Sequence, residues 1–135
     1  YKRFKKVLEI AKRDGEIIVE GSMLEGPEFQ NGYYVQPTIV SQLPHDHELV
    51  KDELFLPLIC INEYDSFDKV IQLANESEFG LTAGIFSENE NELSKFFDKI
   101  EAGLLYANRD SSATTGALVQ IQPFVGWKKS GITGK

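Results

Sequence analysis

Cysteine is almost absent from this sequence of 135 residues, in which Cys60 is the only one. A single cysteine excludes a disulfide within the chain and fits a reducing compartment. Long apolar runs are lacking too, since no stretch approaches the roughly 20 residues that a membrane-spanning helix needs. Basic residues are outnumbered by acidic ones, 14 against 21, which gives a net charge of −7. We therefore expect no membrane and no nucleic acid among the partners, because phosphates call for clustered Lys and Arg. The expected location is the cytoplasm, or the mitochondrial matrix in a eukaryote.

Three segments have the apolar spacing of amphipathic helices. The first is predicted to run to about Arg13 and to end at Gly15. The second is predicted to be capped by Asp65 and closed by Gly80, and the third to follow a capping box of the S-x-x-E type at residues 87–90. The apolar positions are Phe4, Val7, Leu8 and Ala11 in the first, Phe67, Val70, Ile71 and Ala74 in the second, and Leu93, Phe96, Phe97 and Ile100 in the third.

Short β-type runs alternate with these helices, and strands are predicted within residues 17–19, 33–40, 56–61, 81–86 and 104–107. The run at 56–61 is apolar throughout, which is typical of a strand covered on both faces. Residues 45–53 are predicted to form a loop or a short helical turn, and residues 108–135 to be irregular. The alternation predicts an α/β fold in which a mostly parallel sheet is flanked by helices, within one domain over residues 1–135.

Both ends of the sequence bear on its organisation. A helical pattern begins at Tyr1 without a capping residue, and the Gly-rich stretch 130–135 is followed by no further element. We expect from these features that the chain is part of a longer polypeptide. No G-x-G-x-x-G motif, a signature of dinucleotide-binding domains, occurs in these residues either.

Four segments, taken in order, resemble motifs of the aldehyde dehydrogenase superfamily. They are GYYVQPT at 32–38, similar to G-x-[FY]-x-x-P-T; DELFLPL at 52–58, similar to E-E-[IL]-F-G-P-V; NESEFGLTAG at 75–84, similar to N-x-x-x-[YF]-G-L-x-[AG]; and Ala102-Gly103 with Asn108, followed by PFVGWKKSG at 123–131, similar to P-F-G-G-x-K-x-S-G. The resemblance implies a three-layer α/β catalytic domain, NAD(P)-dependent oxidation of an aldehyde, and a full-length protein that is a homo-oligomer.

A further pattern resembles one branch of that family, the 1-pyrroline-5-carboxylate dehydrogenases. Asn108-Arg109, Thr115-Gly116-Ala117 and Gln122-Pro123-Phe124 are similar to the branch pattern N-R…T-G-A…Q-P-F. This resemblance implies oxidation of L-glutamate γ-semialdehyde to glutamate in proline degradation. Two alternatives stay open: a dehydrogenase of another aldehyde or semialdehyde, and a non-catalytic binding module with the same fold.

The resemblance places a cofactor site on Glu53 and Phe55. It implies that Glu53 accepts hydrogen bonds from the ribose hydroxyls of the nicotinamide, a task that suits a carboxylate because both oxygens are acceptors. It also implies that Phe55 packs near the nicotinamide. Composition alone would instead make Glu53 a solvated loop carboxylate and Phe55 a core aromatic. NAD is the expected cofactor, with NADP possible, bound only together with an upstream domain.

Departures from the family pattern occur at Leu56 and Val125, which stand where the family usually has Gly. Because Gly tolerates a positive φ and Leu does not, Leu56 puts the backbone geometry after Phe55 in doubt.

A substrate site is implied at Gly116, Ala117 and Phe124. In the branch that the chain resembles, the backbone N–H groups of the Gly-Ala step bind the α-carboxylate of the substrate, and consecutive N–H groups do form anion-binding concavities. The resemblance also implies that Phe124 forms a wall of the aldehyde pocket. From composition alone, Gly116 and Ala117 would belong to a Ser/Thr/Gly loop, and Phe124 would be buried after a Pro turn.

No catalytic residue is expected within this chain. Cys60 lies in an apolar run, where burial raises the pKa of a thiol and makes it inert. The resemblance implies that the nucleophilic Cys and the general base lie upstream of these motifs. The run 45–48, His-Asp-His-Glu, contains residue types that bind metals. It lacks a distant third ligand, and we interpret it as a surface loop without a metal.

Overall fold

The computed structural model describes residues 1–109 and 125–131. These residues belong to two compact units, Tyr1–Glu63 and Tyr64–Lys135, each with its own core. Within the described ranges, no helix has both the length and the apolar character that a membrane crossing requires. Helices alternate with small sheets in both units, and the predicted α/β class is confirmed.

The first unit is built on a three-stranded sheet with β2 at its centre. Its elements are α1 (Lys2–Asp14), β1 (Glu16–Val19), a 3₁₀ turn (Pro27–Phe29), β2 (Thr38–Ser41), α2 (Glu48–Lys51) and β3 (Leu58–Ile61). Strand β2 pairs antiparallel with β1 and parallel with β3. The long β-rich run predicted at 33–40 becomes a strand only from Thr38, because Pro37 cannot donate a ladder hydrogen bond. In the first half of the predicted run, Val35 forms an isolated antiparallel β-bridge with Met23.

Helix α1 packs its apolar face on this sheet as predicted. The buried cluster of this unit consists of Val7, Ala11, Val40, Leu43 and Leu49. Gly15 follows α1 with an extended backbone rather than a left-handed one. Its role is close approach, since a Cβ at Gly15 would lie 2.7 Å from Cγ2 of Val40 and 2.8 Å from the carbonyl oxygen of Ser41.

The prediction that β3 is covered on both faces is wrong for this unit. Leu58 and Cys60 pack against the buried cluster, whereas Ile59 and Ile61 are 58% and 46% exposed. The physical reason is that the apolar face of α1 covers one side of the sheet, and successive strand residues point to opposite sides. The continuous apolar run therefore produces one covered row and one exposed row.

The second unit contains two short ladders and two helices. Its elements are α3 (Phe67–Asn75), β4 (Phe79–Gly80), β5 (Thr82–Ile85), α4 (Glu90–Lys99), β6 (Leu104–Ala107) and β7 (Trp127–Lys128). Strands β5 and β6 are parallel with α4 in the connection between them, and β4 pairs antiparallel with β7. The buried cluster consists of Ile71, Ile85, Phe96 and Ile100. Strand β7 corrects the prediction that the whole segment after residue 108 is irregular.

The helix boundaries of this unit differ from the predicted ones. Ser66, not Asp65, caps α3 by accepting the N–H of Lys69. Asn89, not Ser87, caps α4. In both cases the capping side chain is the polar residue directly before the first helical turn. The sequence did not identify it, because several adjacent polar residues are also suitable caps.

Two further predictions for this unit are corrected. Gly80 does not close α3, which already ends at Asn75; it lies in β4, where a Cβ would come within 2.3 Å of the carbonyl oxygen of Glu101. Phe97 and Ala74 were assigned to buried helix faces, but both are exposed. Each of these side chains lies at the margin of the apolar face of its helix, and only the centre of that face is buried in the core.

Candidate cofactor and substrate site

The predicted cofactor residues lie in the segment 53–57, which connects α2 to β3. Side chains in this segment alternate: Leu54 and Leu56 pack against the buried cluster, and Glu53, Phe55 and Pro57 are exposed. Glu53 and Phe55 therefore belong to the same exposed row. The Phe55 side chain is 86% exposed.

The backbone of Phe55 is left-handed, with φ at 51°. A residue with a Cβ pays roughly 1–3 kcal/mol for such a conformation, which persists only where the surroundings enforce it. Leu56 is not among the residues with a positive φ, so the bend occurs one residue before the position where the family has Gly. The presence of Leu at position 56 thus has a physical account, because that position needs no left-handed backbone.

Hydrogen bonds hold the segment at both of its ends. The N–H of Asp52 donates to the carbonyl oxygen of Glu48 at 2.9 Å, which closes α2. The N–H of Thr38 donates to the carbonyl oxygen of Pro57 at 2.9 Å, and the Thr38 hydroxyl oxygen accepts the N–H of Gly21 at 3.1 Å. The first two family-like motifs are thereby joined through buried Thr38.

Cys60 lies on the covered row of β3, as predicted. Its Sγ donates to the carbonyl oxygen of Leu49 at 3.4 Å, and the side chain is half-buried. Burial raises the pKa of the Cys60 thiol, so the thiolate that a nucleophile requires is disfavoured.

The third and fourth family-like motifs contact one another in the second unit. Asn75 donates from Nδ2 to the carbonyl oxygen of Lys99 at 2.8 Å and accepts the N–H of Glu101 at 2.9 Å. Gly80 donates its N–H to the hydroxyl oxygen of Ser130 at 3.0 Å. Lys128 forms an ion pair of 2.8 Å with Glu101. Ser130 thus joins the third and fourth motifs, and Asn75 fixes the end of α3 to the backbone on either side of Ile100. Neither role was predicted from the sequence.

Replacing Asn75 by Ala is expected to lower the free energy of unfolding by about 1–2 kcal/mol, because it removes a side chain that serves one backbone acceptor and one backbone donor. Urea unfolding of the full-length protein measures this loss. Asn91→Ala is the matched control, since Asn91 is exposed on α4 and Ala favours a helix. Equal unfolding midpoints for the two variants would contradict the bridging role of Asn75.

The predicted substrate residues Gly116, Ala117 and Phe124 lie outside the described residues. The chain before them is fixed at Asn108, whose N–H donates to the carbonyl oxygen of Ile85 at 2.8 Å. The Asn108 side chain also exchanges two hydrogen bonds of 2.9 Å with the backbone of Ser87. After them the chain returns to the unit in β7.

The His-Asp-His-Glu run does not gather metal ligands in the described part of the chain. No group of three or more His, Cys, Asp or Glu side chains there could hold a metal ion. His47 instead accepts the N–H of Leu49 and contacts Asp14, and thereby caps α2.

The chain belongs to the aldehyde dehydrogenase family, whose model matches residues 1–135. It is 37% identical over 125 residues to an alpha-ketoglutaric semialdehyde dehydrogenase of Bacillus subtilis, covering 91% of this chain. It is 31% identical over 135 residues to a 1-pyrroline-5-carboxylate dehydrogenase of Staphylococcus haemolyticus, covering 100% of this chain. In both comparisons the chain spans 25% of the relative, so it corresponds to a quarter of their length.

Solved structures give the same family. A 1-pyrroline-5-carboxylate dehydrogenase from Thermus with bound NAD superposes with a TM-score of 0.85 at 31% identity, over 97% of this chain and 24% of that chain. A 3,6-anhydro-L-galactose dehydrogenase superposes with a TM-score of 0.81 at 30% identity, over 99% of this chain and 27% of that chain. The fold is therefore that of an aldehyde dehydrogenase, and the motif resemblance is confirmed at the level of the family.

Proposed function

We propose that this chain is part of an NAD(P)-dependent aldehyde dehydrogenase that oxidises L-glutamate γ-semialdehyde to glutamate. The observation that carries the proposal is the exposed pair Glu53 and Phe55. An aromatic ring held 86% exposed on a left-handed backbone is costly in water, and such strain concentrates at ligand contacts. The name and the bound NAD of the Thermus neighbour support the same reading.

The two exposed side chains fit a nicotinamide nucleoside. Glu53 offers two acceptor oxygens to a pair of ribose hydroxyls, and Phe55 offers an apolar face beside the ring. When bound, the nicotinamide supplies a hydride acceptor. What this chain contributes is orientation: the carboxylate fixes the ribose, and the aromatic excludes water next to it.

The reacting groups are assigned to parts of the enzyme outside these residues. Cys60 packs on the core with a raised pKa, so it does not attack the aldehyde. We propose that the nucleophilic Cys and the general base come from upstream, that this chain alone is inactive, and that the full-length protein is a homo-oligomer.

The proposed substrate anchor is the Gly116-Ala117 step, with Phe124 beside the aliphatic carbons. Its support is the branch-like sequence pattern and the names of relatives that match this chain over its full length. Two consecutive N–H groups can bind one carboxylate, and small side chains let it approach the main chain.

A second candidate is a dehydrogenase of α-ketoglutaric semialdehyde, because the Bacillus subtilis relative of that name is 37% identical. That aldehyde also carries a carboxylate, so the same anchor would serve it. The two candidates differ in the group next to the carboxylate, an ammonium in one and a ketone in the other.

Steady-state kinetics of the full-length enzyme on both semialdehydes and on a simple aliphatic aldehyde test the proposal. We expect the wild-type enzyme to have its highest kcat/KM for glutamate semialdehyde. In Gly116→Val, the KM for this substrate should rise about tenfold, as expected when a charge-assisted hydrogen bond is lost. The aliphatic aldehyde is the control, since it has no carboxylate to lose. Equal rises in KM for glutamate semialdehyde and the aliphatic aldehyde would refute the role of Gly116 in binding the carboxylate. A higher kcat/KM for α-ketoglutaric semialdehyde would favour the second candidate.

A further inference from the structure

His47 joins the end of α1 to the start of α2, directly before the segment that carries Glu53. Its Nδ1 accepts the N–H of Leu49 at 3.1 Å, and its Nε2 lies 3.1 Å from Oδ2 of Asp14. Because the backbone N–H can only donate, Nδ1 carries no proton, and the proton of the neutral ring resides on Nε2. The ring thus donates to the Asp14 carboxylate while it caps the helix, and its side chain is only 15% exposed.

Asp14 is well suited to hold this ring. Arg13 donates to both of its carboxylate oxygens at 2.6 Å. These hydrogen bonds, followed by the one from His47, lower the pKa of Asp14 to about 2. The carboxylate is therefore ionised at neutral pH and can accept a hydrogen bond from Nε2 of His47.

Helix α2 depends on these contacts because it has only four residues. A single helical turn is unstable by itself, so its position is set by what it is fastened to. The carbonyl oxygen of His47 accepts the N–H groups of Val50 and Lys51 at 2.9 and 3.0 Å, and Leu49 is buried in the core. Helix α2 ends at Lys51, two residues before Glu53, so a shift of this helix would also move the backbone at Glu53.

We propose that His47 is a positioning residue for cofactor binding: with Asp14 it fixes α2 and thereby the Glu53 carboxylate and the Phe55 ring. This inference rests on the proposed function of Glu53. His47 itself contacts neither cofactor nor substrate, and acts through the cap on Leu49 and the bond to Asp14. The covered position of the ring and the one-turn length of α2 are the two observations that carry it.

The test measures NAD affinity and hydrogen exchange in the full-length enzyme. His47→Ala is expected to raise the Kd for NAD about fivefold, the factor that corresponds to an N-cap worth about 1 kcal/mol. In the cofactor-free enzyme, the same variant is expected to exchange amide hydrogens faster over residues 49–56. His47→Asn is expected to restore part of the affinity, because Asn can also accept the N–H of Leu49 but lacks the ring nitrogen that contacts Asp14. Asp46→Ala, an exposed neighbour in the same loop, is the control with unchanged Kd and exchange.

Two results would overturn the inference: a wild-type Kd in His47→Ala despite a lower melting temperature, or an Asn variant as weak as the Ala variant. If His47→Ala does not fold, Asp14→Ala decides in its place: it removes the bond between the His47 ring and the end of α1 and keeps the cap on Leu49, so a wild-type Kd in this variant would overturn the proposal. Glu53→Ala separates the two levels of proposal. An unchanged Kd in Glu53→Ala would refute the proposed cofactor site, whereas a raised Kd there with a normal one in His47→Ala would refute only the positioning role.

Discussion

Replacing Gly103 by Ala is expected to destabilise the protein by about 3 kcal/mol or more, at or above the upper end of the range for overpacking. A Cβ at Gly103 would lie 1.7 Å from the carbonyl oxygen of Val125 and 2.4 Å from its carbonyl carbon. Both are backbone atoms, and the chain that follows them is held by the pairing of β4 with β7 and by the bond from Gly80 to Ser130. Relief would require the two segments to separate. Urea unfolding of the full-length protein measures the loss as a lower midpoint.

Gly32→Ala is the matched control for Gly103→Ala. The atoms nearest to its Cβ would all belong to the Tyr34 side chain, the closest at 2.7 Å, and this exposed side chain can rotate away. Neither glycine has a positive φ, so the comparison isolates space from backbone conformation. We expect Gly32→Ala to stay within about 0.5 kcal/mol of the wild type. Similar midpoints for the two variants would show that the backbone around Gly103 yields easily.

Element type was predictable from periodicity wherever one face of an element meets the core. Strand β6 has the predicted bounds Leu104–Ala107, and α1 ends one residue after the predicted Arg13. Both elements carry apolar residues at a single, unambiguous spacing. Helix starts were less predictable, because Asp65 and Ser66, or Ser87 and Asn89, are equally good capping residues by type. Only the backbone geometry decides between neighbours of this kind.

Which face of the first unit's sheet is buried could not be predicted from composition. An apolar run such as residues 58–61 shows that the side chains on both faces of the strand are apolar. It does not show which of the two faces is covered by other residues of this chain. The same limit applies at Phe55: its motif position indicated a cofactor contact, while its left-handed backbone has no signal in the sequence. Leu56 suggested strain at the wrong residue, because the family pattern has Gly one position later.

The role of His47 was not predictable from its neighbours in the sequence. The run 45–48 was interpreted as a surface loop without a metal, and the observed partner of His47, Asp14, is 33 residues away in sequence. A single-turn helix after a His could have suggested a cap, but a side chain bridging two elements needs the tertiary structure to be seen. The motif predicted a cofactor role for residues 53–55, and the contacts of His47 with Asp14 and Leu49 became visible only in the fold.

Replacing Glu53 by Ala is expected to lower kcat/KM for NAD roughly 10- to 100-fold in the full-length enzyme, the loss expected when charge-assisted hydrogen bonds to the ribose are removed. The effect should be confined to the cofactor, so the KM for the aldehyde should stay near its wild-type value. Stability should change by no more than about 0.5 kcal/mol, because the Glu53 side chain is exposed. Initial-rate kinetics with NAD and aldehyde varied in turn separate these quantities.

Two variants distinguish a specific carboxylate from a general effect of charge near the cofactor. Asp52→Ala removes the adjacent exposed carboxylate and is expected to leave kcat/KM for NAD unchanged, although it alters net charge by the same amount as Glu53→Ala. Glu53→Gln keeps one acceptor oxygen at the same place, so its kcat/KM should fall between the wild type and Glu53→Ala. If Asp52→Ala and Glu53→Ala lost activity equally, the cause would be the summed negative charge of the segment. A loss specific to Glu53, partly restored by Gln, requires an acceptor atom at that position, because the long-range field of the segment is the same in both Ala variants.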